Sequence, residues 1–156
     1  MADIFVVNAS PLIALAKVGH LDLLLAPEHE LMIPAAVVAE IQQGPSTDPA
    51  RNALEDGWGP DPTQVEPVPE ILEWGLGAGE TAVLSLCRQK TAIAVVDDRA
   101  ARVACTALSI RYTGTLGIVL RAYREGYVKS AKEILKALCE AGLYIDDNTV
   151  RSALLK

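Results

Sequence analysis

Short apolar runs alternate along this chain with longer stretches whose apolar residues recur every three or four positions, a pattern that predicts strands and helices in turn. Ile4–Val7 reads as a first strand, ending at Asn8. Ser10-Pro11 predicts a helix start, with serine as N-cap and proline at the first helical position. Leu12, Ile13, Leu15 and Ala16 give that helix a buried side, and Gly19 ends it. His20–Leu25 continues as a helical turn or two. Glu30–Ile33 predicts a second strand, and Pro34 opens a helix that stops at Gly44. Val37 and Ile41 lie on the apolar face of that helix, and Glu40 falls beside that face. After the turn-rich Gly44–Pro49, Ala50–Asp56 predicts a short helix. Gln64–Val68 predicts an edge strand, flanked by Pro67 and Pro69, and Ile71–Trp74 one helical turn.

Gly75, Gly77 and Gly79 then lead into a helix over about Glu80–Lys90. These glycines lack the spacing of a phosphate-binding loop, and no Lys-Ser or Lys-Thr follows them, so a nucleotide P-loop is excluded. Ala92–Val96 is a buried strand that runs into two adjacent carboxylates, Asp97 and Asp98, before a helix over Arg99–Leu108. Ile110–Thr113 predicts a fifth strand, and Leu116–Arg124 a helix closed near Gly126. Ser130-Ala-Lys-Glu133 is a capping box opening a helix to Gly142. Asp146–Asn148 is expected to cap a last helix, Thr149–Leu155. Strands alternating with helices imply an α/β class with a parallel sheet covered on both sides.

A length of 156 residues, half of them apolar, fits a single domain with a real core. We expect one domain over 1–156, with its core at about 1–128 and a helical segment at 129–156. No apolar run approaches the roughly 20 residues that cross a bilayer. No basic region precedes the first apolar run, so no secretory signal is expected and the cytoplasm is the expected compartment. Cys87, Cys105 and Cys139 are odd in number and embedded in helical patterns, which suits small core residues in a reducing compartment. His20 and His29 have no ligand-spaced partner, so zinc is not expected.

The net charge of −6 argues against nonspecific nucleic-acid binding through a basic surface. The charge is unevenly spread, however. Before Thr81 the only cations are Lys17 and Arg51, whereas Arg99–Lys136 carries eight cations against Glu125 and Glu133. This stretch is either an ordinary solvated helical surface or a path for phosphates leading towards the acids.

Four places carry oxygen ligands where apolar residues would pack better: Asn8, Glu40, Glu80 and the pair Asp97/Asp98. Each has a structural reading. Asp is a good N-cap, and Glu80 in a first helical turn is favoured by the helix dipole. Together they suggest more. Carboxylates brought together raise each other's pKa unless a cation lies between them. Oxygen ligands without His or Cys suit Mg²⁺ or Mn²⁺.

Four segments carry a family resemblance: VVNASPLIAL, IPAAVVAEI, LGAGETAVLSLC and AVVDDRAARVACTALSIRYTGTLGIVLRAYREGYV. In that order they resemble PIN-domain ribonucleases, in the branch close to VapC-type toxins of prokaryotic toxin–antitoxin pairs. The resemblance implies a three-layer α/β/α sandwich with a central parallel sheet. It further implies acids at the strand ends that hold Mg²⁺ or Mn²⁺ for RNA hydrolysis, a cognate antitoxin and a homodimer. By position, the family's acids fall on Asn8, Glu40, Glu80 and Asp98, with Asp97 as neighbour or alternate. Glu40, Glu80 and Asp98 are then the catalytic ligands, and Asn8 and Asp97 direct or water-mediated ones. Ser10 matches a small hydroxyl residue lining the site, and Arg99 and Arg102 are candidate phosphate contacts. Asn8 stands where the family carries an acid, and it favours an alternative: a degenerate PIN domain that binds RNA or protein without efficient catalysis. A phospho-acceptor receiver domain also gathers acids at strand ends. It requires its acid pair after the first strand and a lysine after the last, which this chain does not have.

Overall fold

The computed structural model describes residues 2–143. Among these, four strands form one parallel sheet: β1 (Asp3–Val7), β2 (His29–Met32), β3 (Ile93–Val95) and β4 (Tyr112–Thr113). Their order is β2-β1-β3-β4. Eight α-helices accompany them among the described residues: α1 (Ala9–Lys17), α2 (Ala35–Gln42), α3 (Pro49–Glu55), α4 (Pro69–Leu72), α5 (Ala78–Lys90), α6 (Arg99–Ala107), α7 (Thr115–Arg124) and α8 (Ala131–Glu140). A 3-10 turn spans Leu21–Leu24.

The sheet order fixes the layers. Parallel strands are joined by right-handed crossovers. The β1–β2 and β3–β4 connections run in opposite directions across the sheet, so α1 and α6 cover opposite faces. The connection from β2 to β3 passes over β1 in the same sense as β3–β4, which puts α5 on the α6 side, packed on β1 and β3. α1, α7 and α8 pack on one another and form the other layer. Phe5, Val6 and Val7 of β1 and Ala94 and Val95 of β3 are buried between the layers. Such continuous apolar strands are what a sheet covered on both faces demands.

The chain over Gln64–Val68 forms no strand. What remains of it is one bridge, where Thr63 N–H donates to Ile33 O (2.8 Å) and Ala35 N–H donates to Thr63 O (2.8 Å). Pro67 and Pro69 leave no donors for a longer ladder. Ile110–Thr113 is therefore the fourth strand, and only its last two residues pair as strand. The first helix is capped by Asn8, not Ser10, and Pro11 lies two residues past Ala9, its first residue. Cys87 and Cys105 are buried as expected, but Cys139 is exposed. Burial pushes the Cys105 thiol up to about 11 and raises that of Cys87 further, so both are unreactive core residues. The capping serine holds: Ser130 Oγ accepts from Glu133 N–H (3.3 Å). The expected helix Thr149–Leu155 lies outside the described residues.

Candidate metal centre and nucleic-acid interface

Parallel pairing brings the C-terminal ends of β1 and β3 side by side. Asn8 N–H donates to Val95 O (3.1 Å), which continues the ladder one step past β1. Asn8 is thereby held beside the strand end that carries Asp97 and Asp98. Its side chain is buried, and its Oδ1 has no hydrogen-bond partner. It caps α1 through its backbone alone.

Two acids reach this point from helices. Gly79, in the first turn of α5, lies against Asn8. A Cβ there would lie 3.5 Å from Asn8 Oδ1, 3.6 Å from Val37 Cγ2 and 3.7 Å from Glu40 Oε1. The amide oxygen of Asn8 and the carboxylate of Glu40 thus face one small gap over a residue with no side chain. Glu80 follows directly. Its carboxyl is raised above the ordinary range, first by burial and then by the charges of Asp98 and Glu40. Those two electrostatic partners put Glu40, Glu80 and Asp98 around one region. Glu40 itself is exposed and Glu80 half-buried, so the cluster lies at the rim of the sheet, not in the core.

The adjacent aspartates divide their work. Asp98 is the N-cap of α6, and its Oδ2 accepts from Ala101 N–H (3.1 Å). One oxygen remains for a ligand, so capping and chemistry are compatible in this residue. Asp97 turns the other way. Its Oδ1 accepts from Thr115 N–H (2.8 Å) and its Oδ2 from Thr115 Oγ (2.6 Å). Arg102 Nη2 lies 3.9 Å from Asp97 Oδ1, and Arg102 Nε donates to Val96 O (3.0 Å). Asp97 therefore fastens the start of α7 to the end of β3, and Arg102 braces the same junction. Arg99 is exposed in the first turn of α6. Ser10 is exposed and shares a groove of about 300 Å³ with Glu40, between α1 and the end of α8.

Sequence reasoning missed Thr115, Gly79 and Gly114. Gly114 adjoins Asp97 and Arg102 so closely that a Cβ there would collide with both side chains. The advance signals were Gly79 among the glycines that lead into the helix of Glu80, and Thr113-Gly114-Thr115 at the end of a strand.

Among the described residues, no three His, Cys, Asp or Glu side chains are gathered closely enough to hold an ion. The chemistry of the set nevertheless fits a hard cation. A buried amide oxygen without a partner is costly and calls for a donor or a cation. The neighbouring groups are carboxylates only, which suits Mg²⁺ or Mn²⁺ and not zinc.

The chain matches a family model described as a PIN domain over residues 4–156. It belongs to the PIN-domain family. PIN domains are in general nucleases that use divalent metals, so nuclease chemistry on nucleic acid is the activity that this membership implies. No curated protein matches the chain. No helix among the described residues is long and apolar enough to cross a membrane.

Proposed function

We propose that this PIN domain is a Mg²⁺- or Mn²⁺-dependent endoribonuclease, and that it is the toxin of a VapC-like toxin–antitoxin pair. One observation carries the catalytic part: a buried, unpartnered Asn8 Oδ1 faces the same gap as the Glu40 carboxylate, with Glu80 and Asp98 beside them. Glu40, Glu80 and Asp98 would hold the ion, closing on it from the wider spacing they have here, and Asn8 would add a neutral oxygen. A bound divalent ion supplies charge neutralisation at the scissile phosphodiester and a more acidic water. One of these carboxylates would orient the attacking water and take its proton at a carboxylate oxygen, and Glu80, half-buried beside Asp98 and Glu40, is placed for it. Ser10 lies in the groove that contains Glu40, where it donates to a phosphate oxygen. Arg99 opens the helix that Asp98 caps and meets the backbone of the RNA. The toxin assignment, the antitoxin, the homodimer and a cytoplasmic site of action rest on the resemblance of the four sequence segments to VapC-type proteins.

A second reading is favoured by the neutrality of Asn8: a PIN domain that binds RNA without efficient cleavage. The two separate in one experiment. A mixed-sequence RNA is incubated with the protein in Mn²⁺, Mg²⁺ or EDTA, beside a Glu40→Gln/Asp98→Asn variant. Asn caps helices as well as Asp does, so the double variant keeps α6 intact. Metal-dependent cleavage lost in the variant supports the nuclease. Retained RNA binding with no cleavage under any condition supports the binding module.

A further inference from the structure

A second feature lies along the free edge of β4, away from the acids. A cleft of about 620 Å³ opens there between α6 and α7, within the size range of small-ligand sites. Phe5 and Ile93 of the sheet, Thr106 of α6 and Ile118 of α7 are among its lining. Arg121 belongs to the wall. It lies 4.9 Å over the Phe5 ring and is ion-paired to Asp3 (3.7 Å) and Glu125 (3.2 Å). Arg111 and Arg124 are different. Both line the cleft and both are exposed. Arg111 reaches Asp3 only at 3.9 Å with its side chain 61% exposed, and Arg124 has no ion pair among the described residues.

Tyr112 lies on this edge, 40% exposed, with the guanidinium of Arg102 5.3 Å from the centre of its ring. Arg102 leans towards Asp97, so Tyr112 links the cleft to the acid end of the sheet. Tyr112 precedes Gly114, which abuts Asp97, by two residues, or about 7 Å at strand spacing. The chain as a whole carries a charge of −6, yet this edge gathers Arg102, Arg111, Arg121 and Arg124. An aromatic face between arginines beside a nucleotide-sized cleft is the chemistry that holds single-stranded nucleic acid.

We propose that the β4-edge cleft is a second binding site for single-stranded RNA, in which Tyr112 stacks a base and Arg111 and Arg124 hold the phosphates on either side of it. The inference rests on the nuclease reading only in placing this strand as an extension of the substrate. An acidic peptide adding itself as a strand is the poorer occupant. β4 is two residues long, and Arg111 O and Thr113 O are turned inward to Ala94 N–H and Val96 N–H. Only the Tyr112 backbone faces outward, whereas strand addition draws its affinity from successive main-chain bonds.

The test compares wild type with Tyr112→Ala, Tyr112→Trp and Arg111→Ala/Arg124→Ala. Binding of a fluorescent 12-nucleotide RNA is read by anisotropy in EDTA, cleavage of the same RNA in Mn²⁺, and folding by thermal melting. Loss of one base stack or of two phosphate contacts should weaken RNA binding about tenfold or more. The same variants should raise KM by a similar factor, with kcat within about twofold. Tyr112→Trp should retain binding, which a merely structural role for the tyrosine does not predict. Unchanged binding in folded Tyr112→Ala and arginine variants overturns the proposal and leaves the nuclease standing. RNA bound through these residues but never cut upholds the site and overturns the nuclease reading. Capture of a polyglutamate peptide by the same residues, uncompeted by RNA, overturns the proposal in favour of a protein partner.

Discussion

Thr115 holds both oxygens of Asp97, one through its backbone N–H at 2.8 Å and the other through its hydroxyl at 2.6 Å. Thr115 is fully buried. Replacing it by valine keeps the shape but removes one of the two bonds that hold a part-buried carboxylate, and loss of a hydrogen bond to a charged group costs about 1.5–3 kcal/mol. Thr115→Val should lose stability in that range by urea unfolding, and Thr115→Ser should recover most of it.

Gly114 and Gly79 predict opposite outcomes for the same substitution. A Cβ on Gly114 would collide with Arg102 and come within 2.6 Å of Asp97 Oδ1. Gly114→Ala should therefore unfold at lower denaturant than wild type. A Cβ on Gly79 meets its neighbours at 3.5–3.7 Å, which is ordinary contact. Alanine inside a helix is favoured over glycine by about 0.5–1 kcal/mol. Gly79→Ala should fold at least as stably as wild type, yet its methyl group fills the gap between Asn8 Oδ1 and Glu40. Cleavage should fall by at least tenfold while the melting temperature holds.

Glu80 makes stability pH-dependent in a definite direction. Its folded carboxyl is raised above the ordinary 4.5 by burial, Asp98 and Glu40. The folded state therefore holds this proton when the unfolded state has lost it. The contribution of Glu80 is most favourable at acid pH and is lost as pH rises through the raised folded value. Glu80→Gln should flatten this part of the stability curve and gain relative to wild type at neutral pH. A Glu80→Gln curve parallel to wild type from pH 4 to pH 7 would contradict the crowding of these acids.

Asn8→Asp places a fourth carboxylate among three. Without metal the like charges repel, and the variant should melt at lower temperature than wild type. Adding Mn²⁺ should raise its melting temperature by more than it raises that of wild type, because ligand binding stabilises in proportion to affinity.

Most of the layer order was legible because periodicity separates buried strands from amphipathic helices. Ile4–Val7 and Ala92–Val96 are apolar throughout, as a doubly covered parallel sheet requires. Gln64–Val68 misled because its alternation looks strand-like while its prolines withhold the donors. At the site, Asn8, Glu40, Glu80 and Asp98 were readable as oxygen ligands in unusual places. The split between Asp97 and Asp98 was not. Both follow the same strand, and only the contact with Thr115, eighteen residues on, separates the anchor from the candidate ligand. Exposure of Glu40 was equally hidden, since a helical wheel locates the residue beside the apolar face but not the rim of the sheet.

The most direct test of the central claim is Mn²⁺ binding to the wild-type protein by titration calorimetry, with Glu40→Gln and Glu80→Gln alongside. The account predicts saturable binding by wild type, weakened at least tenfold in each variant, with the fold of both retained. Wild-type protein that takes up no Mn²⁺, or variants that bind it as well as wild type does, would contradict a metal site built from Asn8, Glu40, Glu80 and Asp98.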